Sequence, residues 1–318
     1  MTSREPPPVI WLNSFVAVVE QGTFTAAAQA LNRAQPRVSA HVASLERHLG
    51  AKLLIRGTRR VELTAAGSAL LPHARAVLRE LRAGADAVGA LTSTLQGRLA
   101  LGSYPGAMAV LIAPLVRQFQ ARYPGVTVDL HEAEPALLED LVAAGDIDLA
   151  IRTADVPQRH HNVPSTLLFH ERIQLIVRRD HRLSGLAGAE PTALSAEPVI
   201  VSGNPPTGWT DYRDRLDRLG IEPLRLITVS QPTTVVALVR EGLGVGLLGA
   251  LAAKVTVGGD IRAVDLPMPL WRREIRAYRR SDAKPTPAVT AFTELMAADA
   301  PALTLGCAIW PESAEDQR

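Results

Sequence analysis

Residues 35 to 46 read Gln-Pro-Arg-Val-Ser-Ala-His-Val-Ala-Ser-Leu-Glu. One buried face of an α-helix is predicted by the spacing of Val38, Val42 and Leu45. Pro36 falls in the first turn, where a helix does not use the missing N–H. The opposite face is short or polar and carries Arg37, Ser39, Ala40, His41 and Ser44. The stretch is therefore predicted to form a short amphipathic helix.

A second short helix is predicted just before it, from about Thr25 to Leu31, with Thr23 as its N-cap. Its body is rich in alanine, and residues 32–34 form a short link. Two short helices joined by a tight turn describe a helix-turn-helix, whose second helix enters a DNA major groove by its N-terminal residues. The candidate DNA contacts on these helices are Thr23, Thr25, Gln35, Pro36, Arg37, Ser39 and His41.

Two short strands are predicted next, at residues 52–56 and 60–63, around Gly57 and Thr58. Such a hairpin beside a helix-turn-helix forms a wing. Its basic residues are within reach of phosphates or a minor groove, and these are Arg56, Arg59 and Arg60. The alternative is a solvated basic hairpin without contact to DNA.

One long helical pattern runs from residue 64 to about residue 95. Two series of small or apolar residues repeat in it every seven positions, which is typical of a coiled-coil seam. The candidate dimerisation residues are Leu70, Val77, Leu81 and Val88. A kink is expected near Pro72. The alternative is a helix that packs on its own domain.

A known pattern underlies these elements. It begins with Leu12-x-x-Phe15-x-x-Val18 and Gly22-Thr23-Phe24-Thr25-x-Ala27-Ala28-x-x-Leu31, continues through Gln35-Pro36-x-Val38-Ser39, Leu45-Glu46 and Leu49-Gly50, and ends with Leu53-Leu54-x-Arg56 and Leu63-Thr64-x-x-Gly67. In this order the residues resemble the N-terminal signature of LysR-type transcriptional regulators. One departure is Ala40, where the family often has arginine, while Arg37 stands where it usually has a small residue.

The resemblance implies an architecture for the whole chain. It implies a winged helix-turn-helix at 9–67, a linker helix at 65–95 that pairs two subunits, and an α/β effector-binding domain of the periplasmic-binding-protein type at 98–298. That domain has two Rossmann-like subdomains, about 98–168 with 270–298 and about 169–266. Two crossover strands join them, and we place the crossings near Phe169 and near residues 266–270. Residues 299–318 are expected to be a loose tail.

Composition agrees with a regulator that acts inside the cell. A chain of 318 residues suggests about two domains. No apolar run is long enough to span a membrane, and residues 1–8 lack the apolar core of a signal peptide, so we expect a cytoplasmic protein. Cys307 is the only cysteine, which excludes a disulfide within one chain.

Charge is distributed unevenly along the chain. Residues 1–95 hold 11 basic and 6 acidic residues, whereas the remainder holds 23 basic and 26 acidic residues. A basic N-terminal module on a mildly acidic body favours binding of nucleic acid at one end only.

Strands and helices alternate over residues 98–298, which predicts parallel sheets with helices on both faces. Ligands of such sheets bind beyond the carboxyl ends of the strands. That rule selects as candidate effector contacts Ser103, Tyr104, Arg152, Thr153, Ser202, Gly203, Ser230 and Thr233. Helix N-termini and the fixed charge of Arg152 would suit a small anion. The alternative is that the hydroxyl groups only cap helices.

No catalytic, cofactor or metal constellation is evident. The glycines at 242, 244 and 246 follow a helix and precede a strand, the reverse of the order in a dinucleotide site. His160 and His161 lack acidic or cysteine partners at metal-ligand spacing. We therefore expect a DNA-binding regulator, a dimer or dimer of dimers, that senses a small molecule. The alternative is an enzyme or solute-binding protein with a helical N-terminal extension.

Overall fold

A computed structural model describes residues 5–56, 60–90, 95–185, 191–203, 212–267 and 269–310. Within these ranges the side chains of residues 56, 86, 87, 90 and 191 are not described. The chain divides into two compact units, Met1–Thr92 and Ser93–Arg318. No helix in the described ranges is both long enough and apolar enough to cross a membrane.

The first unit begins with three helices, α1 (Val9–Gln21), α2 (Phe24–Ala30) and α3 (Gln35–Leu49). The predicted N-cap of α2 is confirmed, because the Thr23 hydroxyl accepts the Ala26 N–H at 3.1 Å. The helix α3 continues one turn beyond the predicted stretch and ends at Gly50, whose φ of 70° is left-handed. The core between the helices contains the fully buried Phe15, Val18, Ala27, Val38 and Leu45.

The wing follows as two antiparallel strands, β1 (Leu54–Arg56) and β2 (Val61–Leu63). Glu46, on α3, holds the start of β1. Its Oε1 accepts the N–H of Leu53 at 2.9 Å and of Leu54 at 3.3 Å, and its Oε2 accepts Lys52 Nζ at 2.7 Å. Burial raises the pKa of Glu46, but these hydrogen bonds lower it more, so that its pKa lies below the ordinary value.

The linker helix α4 (Ala65–Ala90) begins as part of this unit. Ala74 is buried in the core and Leu70 packs against it. Leu70, predicted to belong to the seam, is half-buried and uses part of its surface within its own chain. The predicted continuation towards residue 95 falls on residues 91–94, which lie outside the described residues.

The second unit opens with the strands and helices of its first half. In chain order these are β3 (Gly97–Ser103), α5 (Pro105–Ala107), a π-helical turn (Met108–Ile112), α6 (Ala113–Arg122), β4 (Val126–Glu132), α7 (Pro135–Ala144), β5 (Leu149–Thr153) and β6 (Ser165–Arg178).

The remaining elements complete the unit. They are a 3₁₀ turn (Pro191–Ala196), β7 (Pro198–Ser202), α8 (Arg213–Arg218), β8 (Arg225–Val229), α9 (Pro232–Arg240), β9 (Val245–Gly249), α10 (Ala250–Thr256), β10 (Ile261–Asp265), β11 (Arg272–Tyr278), α11 (Pro287–Leu303) and β12 (Ala308–Ile309). Neither α10 nor β10 was expected from the sequence.

The strand β6 joins two half-sheets, because its pairing partners change along its length. The strand order is β4-β3-β5-β11-β6-β9-β7-β8, with β10 and β12 also paired to β6. Pairing is parallel among β3, β4 and β5 and among β7, β8 and β9. The predicted parallel sheets are therefore confirmed within each half. At the centre, β11 runs antiparallel to β5 and β6, and β6 runs antiparallel to β9 and β10. The antiparallel pairs arise because β6 and β11 connect the halves in opposite directions.

Helices cover both faces of each half-sheet. In the first half, Phe119 and Phe292 meet edge to face at 5.5 Å on one side, and Leu138 is buried on the other. In the second half, Trp271 lies in one core and Val235 in the other. The carboxyl ends of the parallel strands of both halves are left to form a cleft.

The expectation of a loose tail at 299–318 is wrong as far as residue 310. The helix α11 extends to Leu303, and β12 pairs with β6. Trp310 lies against Phe169, with ring centroids 5.0 Å apart, and its Nε1 donates to the Thr304 hydroxyl at 2.8 Å. Apolar burial against β6 therefore orders this segment. Residues 311–318 lie outside the described residues.

Candidate nucleic-acid interface and effector cleft

The first turns of α3 present an open polar surface. Gln35, Pro36 and Arg37 are exposed, whereas Val38 and Val42 on the opposite face are buried. The buried face fixes the rotation of the helix about its axis. The side chains expected to meet DNA are consequently those that the core leaves uncovered.

His41, a predicted DNA contact, is half-buried and contacts α1 through one ring nitrogen. Its Nδ1 lies 2.8 Å from the hydroxyl oxygen of the fully buried Ser14 on α1. Burial, followed by the positive charges of Arg33 and Arg37, lowers the pKa of His41. The ring is thus a neutral bridge between α1 and α3 through Nδ1, and the predicted contact of His41 with DNA would fall to Nε2. Ser39 is half-buried, and Arg33, which was not predicted as a DNA contact, is exposed nearby.

The remaining predicted DNA contacts lie around this surface. Thr25 is exposed and Thr23 is half-buried at its cap. Arg60 is exposed and lies beside Gly22, whose carbonyl oxygen accepts the Val61 N–H at 2.9 Å. Arg56 lies on β1 with its side chain not described, and Arg59 lies outside the described residues. The hydrogen bond from Val61 to Gly22 therefore holds the wing against the start of α2.

The later part of α4 carries apolar side chains that its own chain does not cover. Val77 is 42% exposed, Leu81 53% and Val88 66%. Their spacing of four and seven residues places them on one stripe of the helix. Such a stripe is typical of a helix that pairs with another helix.

A cavity of about 430 Å³ lies between the two half-sheets. Five of the predicted effector contacts line it, and these are Tyr104, Thr153, Ser202, Gly203 and Ser230. They come from the ends of β3, β5, β7 and β8. Residues far apart in the chain, predicted because they follow strand ends, therefore line one cavity. Gln231, Pro232, Tyr212 and Arg273 also line the cavity.

Three predicted effector contacts lie elsewhere. Ser103 is fully buried and Thr233 is exposed, and neither lines the cavity. Arg152 is fully buried and forms an ion pair with the fully buried Glu139, with its guanidinium 3.9 Å from the centre of the Tyr278 ring. Its charge is already neutralised within the first half-sheet, so the expectation that Arg152 holds an anion is wrong.

A buried cluster behind the cavity, formed around Glu171, was not predicted from the sequence. The Glu171 carboxylate accepts the Tyr104 hydroxyl at 2.8 Å, the Leu251 N–H at 2.9 Å and Arg273 Nε at 3.0 Å. Burial, followed by the Glu171 charge, raises the pKa of Tyr104, which therefore stays protonated. Gly249 allows this approach, since a Cβ there would lie 2.4 Å from Glu171 Oε1. The cluster joins β6, β11, α5 and α10.

Within the described residues, no group of three or more His, Cys, Asp or Glu side chains is arranged to hold a metal ion. His160 instead lies 2.6 Å from Asp140 in a surface pair.

Comparison with known proteins identifies both units. Residues 10–68 match the family model for a bacterial regulatory helix-turn-helix protein of the lysR family, and residues 92–301 match the LysR substrate binding domain. Among similar curated proteins, the regulator AlsR of Bacillus subtilis is 28% identical over 86% of this chain and 91% of its own length. A probable hydrogen peroxide-inducible genes activator of Streptomyces viridosporus is 32% identical over 79% of this chain and 80% of its own.

Solved structures show the same fold. Full-length OxyR from Pseudomonas aeruginosa has a TM-score of 0.74 at 22% identity and covers 96% of this chain and 99% of its own. Full-length CbnR in complex with its target DNA has a TM-score of 0.65 at 26% identity and covers 91% of this chain and 98% of its own. With both family models matched in order, this chain belongs to the LysR family of bacterial transcriptional regulators.

Proposed function

We propose that this regulator binds promoter DNA through the exposed first turns of α3, with Arg37 as its principal base contact. The supporting observation is that Gln35, Pro36 and Arg37 are exposed in the first turn of the helix, whereas the next residue, Val38, is fully buried. An arginine at this point of a recognition helix suits the O6 and N7 atoms of guanine. Ser39, two residues after Arg37, and Thr25, at the start of α2, contact a base or a phosphate. Arg60 on the wing meets phosphate or the minor groove.

Two subunits pair through the exposed stripe of α4, formed by Val77, Leu81 and Val88. Pairing removes these side chains from water and sets two recognition helices on successive turns of DNA, about 34 Å apart. A dimer, or a dimer of dimers, is thus the DNA-binding form. Because its partner is promoter DNA, we place the protein in the cytoplasm.

The cavity of the second unit holds a small-molecule effector. Its lining combines hydroxyl groups at strand ends with two tyrosine rings, a mixture suited to a small polar ligand. Binding shifts the population between two arrangements of the half-sheets. The proposed domain limits are 9–67 for DNA binding, 65–95 for pairing and, extending the expected limit, 98–310 for effector binding.

The DNA interface is tested by two arginine variants, with binding to the operator and to scrambled DNA measured over a salt series. Arg37→Ala should weaken operator binding by about 1–3 kcal/mol and relax the preference at one base pair in each half-site. Arg60→Ala should weaken binding to all sequences alike and reduce the salt slope by about one. If Arg37→Ala weakens both DNAs by the same factor, Arg37 contacts phosphate and the proposed base contact is wrong.

The pairing surface is tested by Leu81→Glu, with Arg82→Glu as the control on an adjacent exposed position of the same helix. A glutamate within an apolar seam is strongly unfavourable, so Leu81→Glu should dissociate the dimer in light scattering and lower DNA affinity. Arg82→Glu should leave the assembly intact. An unchanged assembly for Leu81→Glu would place the interface elsewhere.

A further inference from the structure

We propose that Ser14 is a positioning residue for DNA binding. Its buried hydroxyl donates to Nδ1 of His41 and thereby presents the Nε2–H of His41 to a DNA phosphate. This inference rests on the proposed function, because it adds an uncharged phosphate contact to the same surface of α3. It also gives a role in DNA binding to α1, a helix that was not predicted to take part in it.

Ser14 is the polar exception on the buried face of α1. The other buried residues of this helix are apolar, and they are Leu12, Phe15, Val16, Ala17 and Val18. Ser14 is fully buried, and a hydroxyl group in such surroundings is unfavourable unless it forms a hydrogen bond. Among the described residues its one hydrogen-bond partner is Nδ1 of His41, 27 positions along the chain and 2.8 Å away. The pair therefore joins α1 to α3.

The surroundings of Ser14 decide which atom carries the proton of this hydrogen bond. If Nδ1 were protonated and donated to Ser14, the serine O–H would lack an acceptor among the described residues. A buried donor without an acceptor is strongly unfavourable. The bond in which Ser14 donates avoids this cost, and it leaves the proton of the neutral imidazole on Nε2. Ser14 thus selects the tautomer of His41.

The second ring nitrogen of His41 lies in open and positive surroundings. Within the described ranges Nε2 has no hydrogen-bond partner and is not buried, so a partner from outside can reach it. Arg37 stands four residues earlier on the same side of α3, Arg33 stands in the preceding turn, and both are exposed. Burial, followed by the charges of Arg33 and Arg37, lowers the pKa of His41, so the ring is neutral. An anion is attracted to the place where Nε2–H is an available donor.

The anchored position of the ring favours a phosphate over a base. Its bond to α1 holds His41 at the flank of α3, one turn behind the residues that enter the major groove first. Phosphates line the edges of the groove, and uncharged donors of proteins commonly contact them. Such a contact adds affinity without releasing counterions, because the neutral histidine carries no charge. It should therefore differ from an arginine contact in its response to salt.

The test measures binding of the full chain to the operator and to scrambled DNA over a salt series, at about pH 8, where the ring is neutral. His41→Ala should weaken binding to both DNAs about tenfold, the size of a lost hydrogen bond to a charged group. Its salt slope should equal that of the wild type, whereas Arg60→Ala should reduce the slope by about one. The matched control is His41→Asn, whose amide oxygen can accept from Ser14 but which has no donor at the position of Nε2. It should bind as weakly as His41→Ala.

The role of Ser14 is tested by a double-mutant cycle. Ser14→Ala should weaken binding to both DNAs about threefold, since the ring can then turn or change its tautomer. In the His41→Ala background the same change should have no further effect, because its action passes through the ring. If Ser14→Ala only loosened the packing of α1, it would weaken binding in both backgrounds alike. Urea unfolding of each variant shows that the compared proteins are folded.

Three results would overturn the inference while leaving promoter binding intact. Wild-type affinity in His41→Asn would show that the bond to Ser14 is structural only, and this variant decides the question even where Ser14→Ala does not fold. A loss confined to the operator for His41→Ala would make His41 a base contact. Equal losses for Ser14→Ala in both backgrounds would remove its action through the ring. Failure of the proposed function is distinguishable, because Arg37→Ala and Arg60→Ala would then also leave DNA binding unchanged.

Discussion

Each unit contains a buried glutamate that accepts several hydrogen bonds, but the two differ in where their partners come from. Glu46 accepts from residues 52, 53 and 54, six to eight positions along the chain. Glu171 accepts from residues 104, 251 and 273, which are 67, 80 and 102 positions away. The first stabilises a local turn, whereas the second joins four elements brought together only by the complete fold.

The two sites also differ in the surroundings of the positive partner. Lys52 has a side chain that is 79% exposed, so water solvates its charge whether or not Glu46 is present. The Arg273 side chain is only 9% exposed, and it pairs with the fully buried Glu171. The free-energy cost of losing each glutamate is therefore set by the charge left behind more than by the number of hydrogen bonds lost.

The largest expected effect is that of Glu171→Gln. It removes the buried carboxylate that pairs with Arg273 and accepts two further hydrogen bonds, which should destabilise the second unit by about 3–5 kcal/mol. Urea unfolding of the full chain measures this change, with Glu294→Gln as a surface control that should stay within about 0.5 kcal/mol. A loss below about 1 kcal/mol would mean that water reaches Arg273, and the proposed difference between the two sites would disappear.

Glu46→Gln should cost less, about 1–2 kcal/mol at neutral pH, because only hydrogen bonds are weakened. Since the pKa of Glu46 is lower in the folded protein, its stabilisation is complete above the ordinary glutamate pKa and is lost as the pH falls through the folded pKa. Urea unfolding of wild type and variant at a series of pH values should therefore show their difference shrinking in acid. A difference that is constant with pH would contradict the role of the charge.

Tyr104→Phe removes one hydrogen bond from Glu171 while keeping its charge partner, Arg273. We expect a loss of about 1 kcal/mol, well below that of Glu171→Gln. The same urea experiment measures it. If the two variants were equally destabilised, the hydrogen bonds and not the ion pair would account for the stability of the cluster.

Lys52→Ala should have the smallest effect, about 0.5 kcal/mol or less, as is usual for an exposed ion pair. The backbone N–H groups of residues 53 and 54 still satisfy Glu46 in this variant. A loss as large as that of Glu46→Gln would show that the lysine contributes most of the local stabilisation.

The same difference between local and distant contacts decides which parts of the fold and of the cavity could be predicted from the sequence. The helix-turn-helix was predictable because its cap, turn and buried face are set by neighbours within a few residues, as with Thr23 and Val38. The strand ends at the cavity were predictable because a general rule places them there. Arg152 and Arg273 could not be distinguished, because burial and the identity of the paired glutamate depend on contacts far apart in the chain. The ordered segment up to Trp310 was missed for the same reason.

The position of Trp310 has a spectroscopic consequence. Its indole ring lies on Phe169 of β6, the strand that both halves of the effector unit share, and it is one of four tryptophans in the chain. A change in the arrangement of the halves would alter the polarity around this ring and shift its emission wavelength. The regulator therefore contains an intrinsic fluorophore at the junction, and Trp310→Phe identifies its share of the signal.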